Sequence, residues 1–272
     1  MRKYILISLL SSSFLLFCNS CAESEMEMKS FTYSKSYHLT SDSIHNGLKV
    51  SIEVELPVKF HNKEILTNIQ KQIIGKIFSE KYTNLPLDTL APTYATKLYD
   101  DYRADYGAVL EKLSNKSTEA ENEIQIEGIA LYKDKKILSY SYERYAYMGG
   151  ETGNSNRYFY NFDLSNGHII TEKDLFIDNY QSSLTELIKQ RIVEDNVEIE
   201  SVADLHEFDF WEDKIKPNGN FYIAEDGLVY VYNSFEIAPY STGQTEVTLP
   251  YNRLKVLMKP DNLISHIYNK KQ

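Results

Sequence analysis

What the chain lacks narrows it first. Cysteine occurs only at Cys18 and Cys21 and nowhere beyond. The body therefore cannot be stapled by disulfides and offers no thiol nucleophile, so it must be held by its core alone. Positive charge is scarce: 29 Lys and Arg stand against 39 Asp and Glu, a net charge of −10. A surface of that sign repels phosphate backbones and anionic headgroups, which excludes nucleic acid as a ligand. The histidines, His38, His45, His61, His168, His206 and His266, are scattered, with no two at metal-ligand spacing on a helix. There is no G-x-S-x-G elbow, no P-loop and no H-E-x-x-H. No catalytic residue, metal or cofactor is expected. Two weaker arrangements stay open: His206, Asp209 and Asp213 on one helical face as a metal site or a solvated acidic face, and a carboxylate pair for glycoside cleavage, whose separation is a spatial fact.

The N-terminus is the first thing present. Arg2 and Lys3 precede an apolar run over 4–17 that is too short and wrongly flanked for a stable span, which is the pattern of a secretory signal over 1–20. The run ends Leu-Phe-Cys-Asn-Ser-Cys21, which resembles a bacterial lipobox with Cys21 as the lipidated residue. Simple cleavage near Ser20 or Ala22 is the alternative. Residues 21–30 read as an acidic tether, either a surface-directing tract or a solvated linker. Without Arg2 and Lys3 the mature chain has 27 basic and 39 acidic residues, a charge of −12, which would suit a basic partner. The expected place is the bacterial envelope, lipid-anchored at the outer membrane and facing the periplasm or the surface.

The body reads as α+β, antiparallel sheets each packed by amphipathic helices. KVSIEVELPVKF, residues 49–60, alternates Val50, Ile52, Val54, Leu56 against Ser51, Glu53, Glu55, a half-buried strand that Pro57 places at an edge or a bulge. Residues 32–39 are its partner. Asn62 caps a helix with Ile65, Ile69, Ile73 and Ile77 in one stripe. Pro86 and Pro92 mark a loop before a helix bearing Tyr94, Leu98, Tyr102, Tyr106 and Leu110. Strands follow at 123–132 and 136–147, with a parity change near Glu143-Arg144 that suggests a bulge. A strand at 158–164, a turn at Asn166-Gly167, and a second helix with Leu184, Leu187, Ile188 and Ile192 come next. Residues 204–216 suit a short helix around Phe208 and Trp211. Residues 221–225 and 228–233 form a hairpin across Asp226-Gly227, a pair suited to positive φ. A strand over 245–249 then meets Pro250, placed to start a helix through Leu254 and Leu257. The chain divides into an N-terminal α+β domain, 31–147, and a C-terminal one, 148–272.

Two stretches carry a family resemblance: YMGGETGNSNRYFYNFDLSNGHIITEKDLF and EDGLVYVYNSFEIAPYSTGQTEVTLPYNRL. In this order they resemble the RsiV-like domain, the extracellular part of lysozyme-sensing anti-sigma factors. The likeness covers roughly the last 125 residues. The N-terminal half resembles, less specifically, the domain preceding the catalytic domain of a PdaC-type deacetylase. Where the family usually shows Gly-Gly-Ala-His, this chain has Gly149-Gly150-Glu151-Thr152, without the imidazole. The resemblance implies a non-enzymatic binding module, plausible for an extracellular protein such as a basic lysozyme-type hydrolase. A peptidoglycan or glycan binder, or a cell-wall hydrolase, is the alternative.

The expected binding residues lie in two glycine-bearing aromatic loops: Tyr147, Gly149, Gly150, Glu151 and Asn154 in one, Glu236, Tyr240 and Gly243 in the other. Tyrosine numbers 22, and its apolar ring with a polar tip suits recognition, Tyr145, Tyr147, Tyr158 and Tyr240 being the favoured cluster. The competing reading ties Glu236 and Tyr240 into the fold and makes the glycines simple turn formers.

Overall fold

The computed structural model describes residues 25–39, 47–113 and 122–269. The expected signal segment, Cys21 and residues 40–46 and 114–121 lie outside them. Six strands form one sheet in chain order: β1 Glu27–His38, β2 Gly47–Lys59, β3 Asn122–Lys133, β4 Ile137–Tyr147, β5 Asn154–Asp163 and β6 Ile169–Ile170. Three more form a second sheet: β7 Phe221–Ile223, β8 Gly227–Tyr232 and β9 Thr245–Pro250. The class is α+β.

Helices α1, Lys63–Ile77, and α2, Leu87–Leu113, cover one face of the large sheet. The Asn62 side chain accepts from the Glu64 and Ile65 amides at 3.0 and 3.2 Å, capping α1, and Ile65, Ile69, Ile73 and Ile77 are buried as their spacing demands. They meet Val50, Ile52, Val54 and Leu56 from β2 in one apolar core. The small sheet packs between the large one and helices α3, Glu172–Leu175, and α4, Gln181–Asp195. Strand β8 is buried on both faces: Leu228, Tyr230 and Tyr232 point to the α4 side, Val229 and Val231 to Phe159 of β5. The short helices α5, Tyr251–Leu254, and α6, Ser265–Tyr268, close that second core.

Several expectations change. Strands β2 and β3 pair in parallel, so the large sheet is not wholly antiparallel. The two intervening helices return the chain to the end from which it started, and such a crossover is what a parallel pair needs. The sheet does not divide at residue 147, because β4 and β5 pair over ten residues across that turn. Residues 27–30 are strand rather than tether: Met26 is wholly buried, and Lys133 donates to its carbonyl at 2.7 Å. Pro57 stands beyond the β2–β3 pairing and beside a register shift against β1, a place where a residue without an N–H is tolerated.

The bulge lies in β3, between Ala130 and Tyr132, and the register of β4 is continuous through Glu143-Arg144. Strand β4 has large residues of both parities because both of its faces are covered from Ile137 to Tyr142. Pro92 sits inside α2, held there by the burial of Leu90, Ala91 and Ala95 around it. The segment around Phe208 and Trp211 forms two 3-10 turns, Val202–Phe208 and Glu212–Lys214. Gly227 has no positive φ. It is glycine because a Cβ there would run into the Leu249 carbonyl. Helix α5 stops at Leu254, short of Leu257.

Candidate functional site

Strand β5 positions the site. Its far edge carries β6 only at Asn161 and Phe162. Along the rest of that edge, side-chain amides do the work of a neighbouring strand. Asn220 Oδ1 accepts from the Phe159 amide at 3.1 Å, and its Nδ2 donates to the Arg157 carbonyl at 3.0 Å. Asn233 Oδ1 accepts from the Arg157 amide at 2.7 Å and its Nδ2 donates to the same carbonyl at 3.0 Å. Gln244 donates to the Ser155 carbonyl at 3.3 Å, and the Tyr240 hydroxyl donates to the Gly153 carbonyl. Asn161, itself 2% exposed, reciprocates: it donates to the Phe221 carbonyl at 2.8 Å, and accepts from the Ile223 amide at 2.9 Å and from Ser139 at 2.7 Å. Buried backbone groups must find partners, and here amides supply them.

These bonds bring the two expected loops together and divide their residues. Glu236 accepts from Asn218 at 3.0 Å and from Asn233 at 3.2 Å, which fixes the amides that hold β5. Tyr240 bonds the other loop directly. Both are tied into the fold. Tyr147 donates to the Gly150 carbonyl at 2.9 Å, closing its own loop, and Asn154 pairs with Ala146. Gly149, Gly150 and Gly243 have φ of +88, +98 and +76°, where only glycine is unstrained. Gly153 is different: its φ is not positive, but a Cβ would strike the Tyr145 ring. Glu151 is exposed at the tip. Tyr158 does not join the tyrosine cluster, for it stacks on Tyr142 across the opposite face at 5.8 Å. Among the described residues no three of His, Cys, Asp and Glu converge as a metal site, and His206 Nδ1 instead faces the Ala203 carbonyl at 2.7 Å.

The sequence reading missed Phe235. It stands at φ +69°, 62% exposed, its ring 5.6 Å from that of Tyr240. A bulky side chain in left-handed backbone costs of order 1–3 kcal/mol, and such strain gathers at recognition sites. Only its place after the turn formers Asn233-Ser234 hints at it.

It also missed a row that crosses the sheet on the face away from α1 and α2. Thr32, Glu53, Glu127, Glu143 and Arg157 are successive register partners on β1 to β5. Glu53 and Glu127 are exposed and have no ion-pair partner among the described residues. Arg157 bridges Glu143, at 3.7 Å, and Glu246. The neighbouring row is polar, Ser34, Ser51, Gln125 and Tyr145, and a shallow groove of about 380 Å³ lies over β1 to β3. One row further on, the Lys49 ammonium 2.7 Å from Glu123 holds that carboxyl below its usual range. Tyr145 and Tyr147 lie on this same face of β4 and carry it toward the two loops. Toward Glu53 and Glu127 the row is an open acidic strip.

The arrangement is an α+β scaffold with two loops bound edge to edge. The family model described as protein of unknown function (DUF3298) matches residues 173–252, which include Glu236, Tyr240 and Gly243 but not the first loop. The chain is similar to the crystal structure of a DUF3298 family member from Bacteroides fragilis NCTC 9343. The two are 24% identical, with a TM-score of 0.82 over 90% of this chain and 98% of that one. It is also similar to that of a DUF3298 family protein from Pseudomonas aeruginosa PAO1, at 16% identity and a TM-score of 0.59 over 88% and 96%. These likenesses are of fold. No curated protein matches the chain.

Proposed function

We propose that this chain is a non-enzymatic binding module of the bacterial envelope, held by a lipid on Cys21, whose partner is a basic extracellular protein of the lysozyme-type hydrolase class that the RsiV-like resemblance implies. The observation that carries the reading is the in-register row Glu53, Glu127 and Glu143 on an open sheet face. Like charges directly opposed across strands weaken a sheet, and Arg157 offsets only Glu143, so Glu53 and Glu127 stand opposed without an ion-pair partner among the described residues. A lysine- or arginine-rich surface would neutralise them, and Phe235 would supply an apolar anchor beside the strip. No described helix is long and apolar enough to cross a membrane. Attachment in this reading is through the lipid, facing the periplasm or the surface.

The test sets lysozyme against purified peptidoglycan. The expected result is saturable lysozyme binding whose association rate falls with salt and falls again in the Glu53→Gln, Glu127→Gln double variant. Retention on peptidoglycan without lysozyme binding would replace the reading with a glycan binder. The anchor is tested separately: a fatty-acid analogue should label the wild type in cells, and a Cys21→Ala protein still labelled and membrane-bound would sink the idea.

A further inference from the structure

A second cavity, of about 480 Å³, opens where α1, β5, β6 and α3 meet, and its lining shares no residue with the glutamate row or the two loops. Its size is that of a small-molecule pocket. Glu172 presents a carboxylate there whose direction is set on both oxygens. Oε2 accepts from the Tyr180 hydroxyl at 2.8 Å and Oε1 from the Gly219 amide at 3.0 Å. Each oxygen keeps acceptor capacity for a further donor. The fully buried Tyr230 hydroxyl also faces this carboxylate, without making a regular hydrogen bond to it. Burial, and then the Glu172 charge, push that phenol well above its ordinary value, so it stays protonated beside the carboxylate.

The rest of the lining is of two kinds. Tyr160, Tyr180 and Phe221 give ring surface, with Ile169 and Ile170 beside them. Lys76 and Lys173 bring positive charge, and neither has an ion-pair partner among the described residues. The Lys76 ammonium sits 5.7 Å from the centre of the Tyr160 ring. A carboxylate that served only to tie Tyr180 to Gly219 would need neither an open cleft nor two lysines without ion-pair partners in the same lining. One fixed negative group, two positive ones and apolar walls match a molecule that carries both charges and an apolar side chain.

We propose that the cleft between α1, β6 and α3 binds a small zwitterion with an apolar side chain, a free amino acid or a dipeptide. Glu172 takes its ammonium group, Lys76 its carboxylate, and Tyr160 and Phe221 its side chain. The proposal is independent of the reading of the sheet face and does not need a protein partner.

The experiment is a titration of the isotope-labelled full chain with the dipeptide leucyl-phenylalanine, followed by amide chemical shifts. Saturable shifts at Gly219, Ile170 and Lys173 are expected. N-acetylation or C-amidation of the dipeptide should each weaken binding about tenfold or more, the size expected for losing one charge-assisted contact. Glu172→Gln also removes a contact that orders the fold, so Lys76→Met is the cleaner variant: it should weaken the free dipeptide and leave the C-amidated one unchanged. Absence of shifts at these residues, equal affinity for the blocked and free dipeptides, or tighter binding of an uncharged hexose would each overturn the proposal.

Discussion

Strand β5 is finished differently on its two sides, and the contrast organises the molecule. Toward β4 it belongs to a regular ladder, and its inward residue Phe162 feeds an apolar core shared with β2, β3, β4 and α1. Toward the small sheet it is closed by Asn220, Asn233, Gln244 and Tyr240, one bond at a time. The first side is held by burial, which is tolerant of detail and spread over many residues. The second is held by directional bonds from a few named side chains, each of which leaves buried groups unpaired when removed. The loops proposed to meet a partner hang from the second side.

That difference fixes the order of expected effects. The largest belong to the apolar side. Truncating Ile73 or Ile69 to Ala should cost about 2–5 kcal/mol, and Ile188, fully buried in the other core, the same. Urea melts check this. Leu187 is only partly buried, so the Leu187→Ala cost should fall well below that of Ile188→Ala. Losses below about 1 kcal/mol at Ile73 would mean that this core is not what holds the sheet.

Next comes the seam. Asn161→Ala strips a partner from the Phe221 carbonyl and the Ile223 amide, while the Ser139 hydroxyl keeps the Ile223 carbonyl, and should cost about 1–3 kcal/mol. Asn233→Ala should fall in the same range, again about 1–3 kcal/mol, and should also raise hydrogen exchange at the Arg157 amide. Because Asn220 and Asn233 share the Arg157 carbonyl, their double variant should be non-additive in a thermodynamic cycle. Strict additivity would show that the amides act separately, and the contrast with the apolar side would weaken.

The same division explains what could be read in advance. Strand β2 and helix α1 were legible because burial leaves a period, two in KVSIEVEL and near four in the isoleucine stripe. The turn glycines Gly149 and Gly150 were legible because positive φ selects a residue type. An asparagine that replaces a strand has no period, and Asn220 or Asn233 looks like any turn former until Arg157 is placed beside it. The glutamates 53, 127 and 143 belong to three strands, and only their register reveals one row. The pairing of β4 with β5 across residue 147 was hidden for a related reason: a loop rich in glycine is the same string whether it separates domains or joins paired strands.

A smaller effect tests the loop end of the comparison. Phe235 is exposed and strained, so Phe235→Gly should leave the fold as stable as before or stabilise it by about 1 kcal/mol through relief of the left-handed backbone. If the aromatic is a contact residue, the same variant should bind a basic partner more weakly. A loss of stability instead would place Phe235 with Tyr240 among the residues that hold the loops together. Glu236→Gln and Tyr240→Phe should lower the melting temperature, while Glu151→Gln should leave it unchanged.

The smallest effect falls on the sheet face, and its sign is what matters. Glu127 lies between Glu53 and Glu143 in register, so Glu127→Gln removes two unfavourable neighbours at once. Relief of opposed like charges should stabilise the protein by a few tenths to about 1 kcal/mol at low salt, and less as salt screens the row. A merely solvated acidic face and a binding face predict the same gain in stability. They part on association kinetics. If the row receives a basic protein, the more stable variant must be the slower binder, with its rate less sensitive to salt, because complementary charge acts chiefly on encounter. Stability gained together with an unchanged association rate would leave the glutamates as surface charge and return the partner's site to the two loops alone.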